Sequence, residues 1–175
     1  MTGEGKPDAA SEFASYVTDR SGAWLRVAYL LTGNRADAED LLQTALAKTY
    51  LSWHRIQDKG ALDGYVRRVL VNTQTSWWRK RRLDEYPTDV LPEQSWEDNG
   101  PDRYEIRETV WKALEELPKR QRAVVVLRYY EDLSEAETAN VMGISVGTVK
   151  STASRALAKM RDNDSLRDVR IDARS

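Results

Sequence analysis

The chain contains no cysteine, which excludes disulfides, thiolate metal sites and cysteine nucleophiles and fits a reducing compartment. Its single histidine, His54, lies in the glycine-containing stretch HRIQDKGALDG with no evident catalytic triad. It reads as a surface residue. No Gly-rich phosphate loop, His/Glu metal spacing or nucleophile elbow occurs, so neither an enzyme nor a cofactor is expected. No run of eighteen apolar residues appears, and the polar start MTGEGKPDAASE lacks the apolar centre of a signal peptide. The expectation is no membrane insertion and a cytoplasmic location. With only five prolines and nine glycines, and no strand-like alternation, the fold class expected is all-α. Excess charge is missing too: 27 Lys and Arg against 28 Asp and Glu leave a net charge of −1. Any nucleic-acid binding must therefore come from local asymmetry of charge.

Such asymmetry is strongest from Leu133 to Met160, LSEAETANVMGISVGTVKSTASRALAKM. Ser134 is placed to cap a first helix, with Glu135 and Glu137 in its opening turn, where the helix dipole favours acids. Gly143 interrupts the pattern at a turn, and Ser145 offers a second cap. Val149, Ala153, Ala156, Leu157 and Met160 then form one apolar stripe. At about 100° per residue the opposite face carries Gly147, Thr148, Ser151, Ser154 and Arg155, with Lys150, Thr152 and Lys159 on its flanks. From Ser145 to Arg161 no acid balances the bases. A short helix, a turn and a basic-faced helix predict a helix-turn-helix that lays its second helix in the DNA major groove. An ordinary helical hairpin would mix Glu with Lys on its solvated face.

Towards the N-terminus, residues 1–11 read as unstructured. A helical pattern begins at Phe13 and ends near Thr32-Gly33, with Ser21-Gly22 a possible break. Asn34 or Asp37 starts the next helix, whose core stripe includes Ala38, Leu41, Leu42, Ala45 and Thr49. Its opposite face holds Asp37, Asp40, Thr44 and Leu51, an aliphatic-plus-carboxylate pattern suited to a partner, although a half-exposed leucine alone is commonplace. After the His54–Gly64 loop a helix is expected from about Ala61 to Leu83. Leu62, Val66, Val69, Leu70, Thr73 and Trp77 line its core side. Arg68, Asn72, Thr75, Arg79 and Arg82 form a separate stripe suited to phosphates and base edges.

Residues 84–102 reverse the sign, with acids, three prolines and no base, and read as a linker. The expected organisation is a first domain over 12–83, a flexible acidic linker over 84–103 and a second domain over 104–162. In the latter, one helix closes at Pro118, Gln121–Tyr130 forms another, and the helix-turn-helix follows. The tail after Arg161 is expected to fray.

This arrangement resembles the extracytoplasmic-function sigma factors of bacterial RNA polymerase, most closely an actinobacterial sigma-E-like subgroup. The strings that carry the resemblance are DAEDLLQTALAKTY (37–50), YVRRVLVNT (65–73), RKRR (79–82), LPKRQRAVVVLRYYEDLSEAETA (117–139) and GISVGTVKSTASRAL (143–157). The resemblance implies that Asp37, Asp40, Thr44 and Leu51 dock on core RNA polymerase, at the clamp helices of its β′ subunit, with contacts to β as well. It implies −10 promoter recognition by the loop residues Arg55, Gln57, Asp58 and Lys59, together with Arg68, Asn72, Thr75, Arg79 and Arg82. It implies −35 recognition by Gly147, Thr148, Lys150, Ser151, Ser154 and Arg155, and an anti-sigma factor as a further partner.

Two details depart from the family. Thr152 stands where many relatives carry Arg, so a −35 contact is expected to be missing. Trp77-Trp78 looks like the DNA-wedging tryptophan pair of housekeeping sigma factors, but aligning YVRRVLVNT places that pair at Tyr65-Val66. Trp77 is therefore expected to pack, with Trp78 nearer the polar face. A conventional repressor or activator, or a helical adaptor without DNA, remains as an alternative. Neither accounts for the N-terminal block.

Overall fold

The computed structural model describes residues 8–83 and 109–163, apart from the side chains of 81–83. The proposed linker at 84–103, the first seven residues and the tail from 164 onwards lie outside the described residues. The chain divides into two units with the boundary between Pro87 and Thr88. The fold is all-α, with no strand among the described residues.

Three helices build the first unit: α1 (Ala9–Thr32), α2 (Arg35–Leu51) and α3 (Leu62–Leu83). Asp8 caps α1 by accepting from the Ser11 amide at 2.7 Å. Helical structure therefore begins at Ala9, which corrects the expectation that residues 9–11 are unstructured. Ser21-Gly22 does not break α1. A single glycine costs a helix only about 1 kcal/mol, and burial of Trp24, Val27, Ala28 and Leu31 in the following turns outweighs that. Gly33 ends the helix in the left-handed conformation at φ 88°. Asn34 caps α2 through the Asp37 amide at 2.7 Å.

Leu41, Ala45, Val66 and Leu70 complete the core with no solvent exposure. Val69 and Trp77 are only half-buried, at the margin of the stripe. Two short 3₁₀ turns, Trp53–Arg55 and Lys59–Ala61, shape the loop between α2 and α3.

The second unit contains α4 (described over 109–115), α5 (Lys119–Val125), α6 (Glu135–Met142) and α7 (Val146–Arg161). A π-helical turn, Val126–Tyr130, prolongs α5. Arg122 is 8% exposed. Its guanidinium donates to the carbonyls of Leu114 (2.9 Å) and Glu115 (3.0 Å), satisfying the C-terminal end of α4, and lies 5.3 Å from the Trp111 ring. Burial lowers the Arg122 pKa from its ordinary value. Val124, Ala139, Val149 and Ala153 form a compact cluster with Met142 and Ile144 against it. After α7, Asn163 donates to Glu116 at 3.0 Å, so the chain is still anchored two residues past the helix.

Candidate nucleic-acid interface

The sharp α6–α7 turn depends on three local devices. Ser134 and Glu137 form a reciprocal capping box at the start of α6. Gly143 closes α6 at φ 65°, where a side chain would be strained. Ser145 then caps α7, accepting from the Thr148 amide at 3.1 Å and pairing with the Thr148 hydroxyl at 2.8 Å. The buried stripe of α7 is Val149, Thr152, Ala153 and Ala156. This leaves Gly147, Lys150, Ser151, Ser154 and Arg155 exposed and Thr148 partly so. One helix face therefore gathers all six residues expected to read the −35 element.

Thr152 is corrected. It is 6% exposed and packs with the core, because the stripe spans a wider arc than the spacing of Val149, Ala153 and Ala156 alone suggests. Two surface features went unread in the sequence. Lys150 Nζ lies 3.6 Å from the carboxylate of Glu135 on α6, a pairing that only the turn angle creates. Val146, 39% exposed at the first position of α7, offers an apolar contact of the kind a thymine methyl takes. Gly147 is also informative: a Cβ there would meet only Ser145 Oγ, at 3.9 Å. Nothing within the fold demands a glycine at that position.

In the first unit, Arg68, Asn72, Thr75 and Arg79 are exposed along α3. Thr75 is partly self-satisfied, donating to the Val71 carbonyl at 2.8 Å. The Arg82 side chain lies outside the described residues. The loop exposes Arg55, Gln57, Asp58 and Lys59, but two of these have local duties. Asp58 accepts from the Gly60 amide at 2.9 Å. Lys59 sits 3.9 Å from the Trp53 ring centroid and donates to the Trp53 carbonyl at 3.3 Å. Trp77 and Trp78 are both half-buried.

On α2, Asp40 is exposed and Leu51 is 74% exposed, with Tyr50 beside it at 47%. Asp37 and Thr44 are half-buried, and the Asp37 carboxylate accepts from the Asn34 side chain at 2.8 Å. Asp40 and Leu51 are thus the more accessible pair.

An all-α chain of two units, the second closed by a helix-turn-helix, has the build of a DNA-binding transcription factor. Residues 17–83 match Sigma-70 region 2, and residues 107–160 match Sigma-70, region 4. Over 164 residues the chain is 48% identical to the RNA polymerase sigma-E factor of Streptomyces coelicolor, covering 94% of this chain and 91% of that protein. It is 28% identical over 149 residues to the RNA polymerase sigma factor SigV of Bacillus subtilis, covering 83% and 86%. The chain belongs to the extracytoplasmic-function sigma factors, which direct RNA polymerase to promoters and are not enzymes. Among solved structures, the sigma factor RpoE of Bartonella quintana, in complex with the anti-sigma factor NepR, is similar with a TM-score of 0.72 and 24% identity. That likeness covers 91% of this chain and 99% of the other. CnrH, in complex with the cytosolic domain of CnrY, gives a TM-score of 0.61 at 22% identity, covering 85% and 84%. At these identities the likeness shows the fold.

Proposed function

We propose that this sigma factor reads the −35 element with α7 and the −10 element with the Arg55–Gly60 loop and the exposed stripe of α3. Its domains run over 12–83 and 104–162, joined by a linker over 84–103. Asp40 and Leu51, flanked by Asp37 and Thr44, form the surface that docks on the β′ clamp helices of core polymerase, with further contacts to β. The factor acts in the cytoplasm. No described helix is long and apolar enough to cross a membrane.

The observation that carries the −35 assignment is the make-up of the exposed face of α7. It combines a glycine the fold does not need, small hydroxyl side chains and two cations. Small residues allow close approach to a groove, hydroxyls and Arg155 read base edges, and Lys150 suits a phosphate. On α3, Asn72 has both a donor and an acceptor for a base edge, while Arg68, Arg79 and Arg82 suit the backbone. An anti-sigma factor is the proposed inhibitor. The reading is supported by the similar sigma factor RpoE, whose structure is a complex with the anti-sigma factor NepR.

The decisive experiment adds the purified chain to core RNA polymerase with a promoter library and maps the RNA starts. Defined starts that depend on both the chain and the −10 and −35 sequences are expected. Starts that ignore substitutions in either element would overturn the corresponding assignment.

A further inference from the structure

The −10 loop is held at both ends by one residue of α1. Entering the loop, Trp53 is 4% exposed, and the Tyr16 ring lies 5.9 Å from it, with Phe13 edge-on at 5.2 Å. Leaving the loop, Asp63 in the first turn of α3 accepts from the Tyr16 hydroxyl at 3.0 Å and from Arg20 at 2.9 Å. The same Tyr16 oxygen accepts from the Trp24 indole N–H at 3.0 Å. Tyr16 therefore spans the two anchors, ten residues apart in sequence, between which Arg55–Gly60 is suspended.

Phe13 and Arg20, also on α1, each tie one end of the loop, but Tyr16 alone of the three reaches both. A cavity of about 320 Å³ lies there, bordered by Glu12, Tyr16, Trp53 and Lys59. Lys59 is fastened to Trp53 itself, so the position of the loop is set where Trp53 is set. Burial, followed by the neighbouring carboxylate of Asp63, raises the Tyr16 pKa, which keeps its hydroxyl a donor.

We propose that Tyr16, acting through Trp53 and Asp63, is a positioning residue that sets the geometry of the −10 loop and so tunes base preference, while touching no DNA itself. The inference rests on the loop being the −10 reader. The α1 residues involved stand on no proposed DNA or docking face, so their effect reaches the promoter through the loop and the start of α3 that it joins.

The test compares Tyr16→Phe and Asp63→Asn with Asn72→Ala in the full chain bound to core polymerase. Transcription is measured on promoters carrying every single-base −10 variant. Tyr16→Phe keeps the ring against Trp53 and removes both the donor to Asp63 and the acceptor of the Trp24 indole N–H. It should compress discrimination between best and worst −10 bases by about fivefold, the scale of one hydrogen bond. Core-polymerase affinity and −35 dependence should stay unchanged. Because the chain has no cysteine, a nitroxide on Gln57→Cys reports loop mobility directly, and mobility should rise when Tyr16→Phe is added. If Asn72→Ala shifts base preference while Tyr16→Phe lowers all promoters equally and leaves the label unchanged, the positioning role is overturned and the −10 assignment of the first unit stands. If neither variant alters −10 preference, the reading and the inference fall together.

Discussion

Lys150, on the face of α7 that carries the −35 candidates, holds its ammonium 3.6 Å from the carboxylate of Glu135 at the start of α6. Both side chains are substantially exposed, at 64% and 39%, so the pair contributes at most about 1 kcal/mol. It still matters, because a phosphate must compete with Glu135 for the same cation. Glu135→Gln should therefore strengthen binding of the polymerase holoenzyme to −35-containing DNA by up to about fivefold at low salt, with little effect at high salt. Lys150→Ala should weaken all promoters alike and lower the salt slope by about one unit. Titrating both variants across ionic strength distinguishes this from a base-specific Lys150, which would lose affinity selectively.

Gly147 separates stability from function. It lies in the first turn of α7, where a methyl group would find ordinary space around it. Gly147→Ala should raise the thermal stability of the free chain by about 0.5–1 kcal/mol, since alanine restricts the unfolded state and favours helix. If DNA approaches the backbone there, the same change should reduce −35-dependent transcription. Gly22→Ala in the interior of α1 is the matched control, stabilising the chain with no transcriptional loss. Normal −35 use by Gly147→Ala would remove this glycine from the interface.

For the docking face, Asp40→Arg combined with Leu51→Ala should abolish co-purification with core polymerase while circular dichroism stays unchanged. Both side chains are exposed on α2, away from buried Leu41, Leu42 and Ala45. A double variant that competes for core enzyme as well as the parent chain would mean that another face docks.

The helix-turn-helix was legible because its signals are local: Ser134, Gly143 and Ser145 mark ends that hydrogen bonds within four residues create. The exposed and buried sides of α2 likewise follow from its 3.6-residue period. What needed the structure was set by packing between elements. Thr152 is a small polar residue one step from the apolar stripe, and only the seat of α7 in the second unit shows it buried. Glu135 and Lys150 are fifteen positions apart and meet because of the turn angle. Tyr16 and Asp63 lie 47 positions apart, beyond any periodicity. Helix α1 runs through Ser21-Gly22 because burial of Trp24, Val27, Ala28 and Leu31 just beyond overrides a weak local preference.

Arg122 shows the same limit and leads to a stability prediction. In sequence it belongs to a basic run, KRQR, that suggests a solvated surface, yet its guanidinium is buried on the carbonyls of α4. Arg122→Ala takes the guanidinium donor from both carbonyls, leaves that of Leu114 with the Leu117 amide and opens space beside Trp111, and should cost about 2–4 kcal/mol. Arg122→Lys should recover only part of this, because an ammonium lacks the planar fork that reaches several carbonyls at once. Chemical denaturation of the full chain measures both. A loss below about 0.5 kcal/mol for alanine would place Arg122 among ordinary surface residues.

Asn72 sits among Arg68, Thr75 and Arg79 on one exposed face of α3, and it alone carries both an amide donor and a carbonyl acceptor suited to a base edge. Thr75 has its hydroxyl proton committed to the Val71 carbonyl, so it can only accept without first breaking that bond. Arg68 and Arg79 offer charge along the helix, which positions the backbone whatever the sequence. Asn72→Ala should therefore impair promoters with particular −10 bases by about 1–3 kcal/mol while sparing others. Removing Arg68 and Arg79 together should lower occupancy everywhere and reduce the salt slope by about two units, one for each phosphate contact. Transcription from all single-base −10 variants at two salt concentrations reads both effects. A uniform loss for Asn72→Ala with altered base preference for the arginine pair would reverse the two roles. If neither substitution changes transcription, the stripe is a solvated face and the −10 element is read elsewhere.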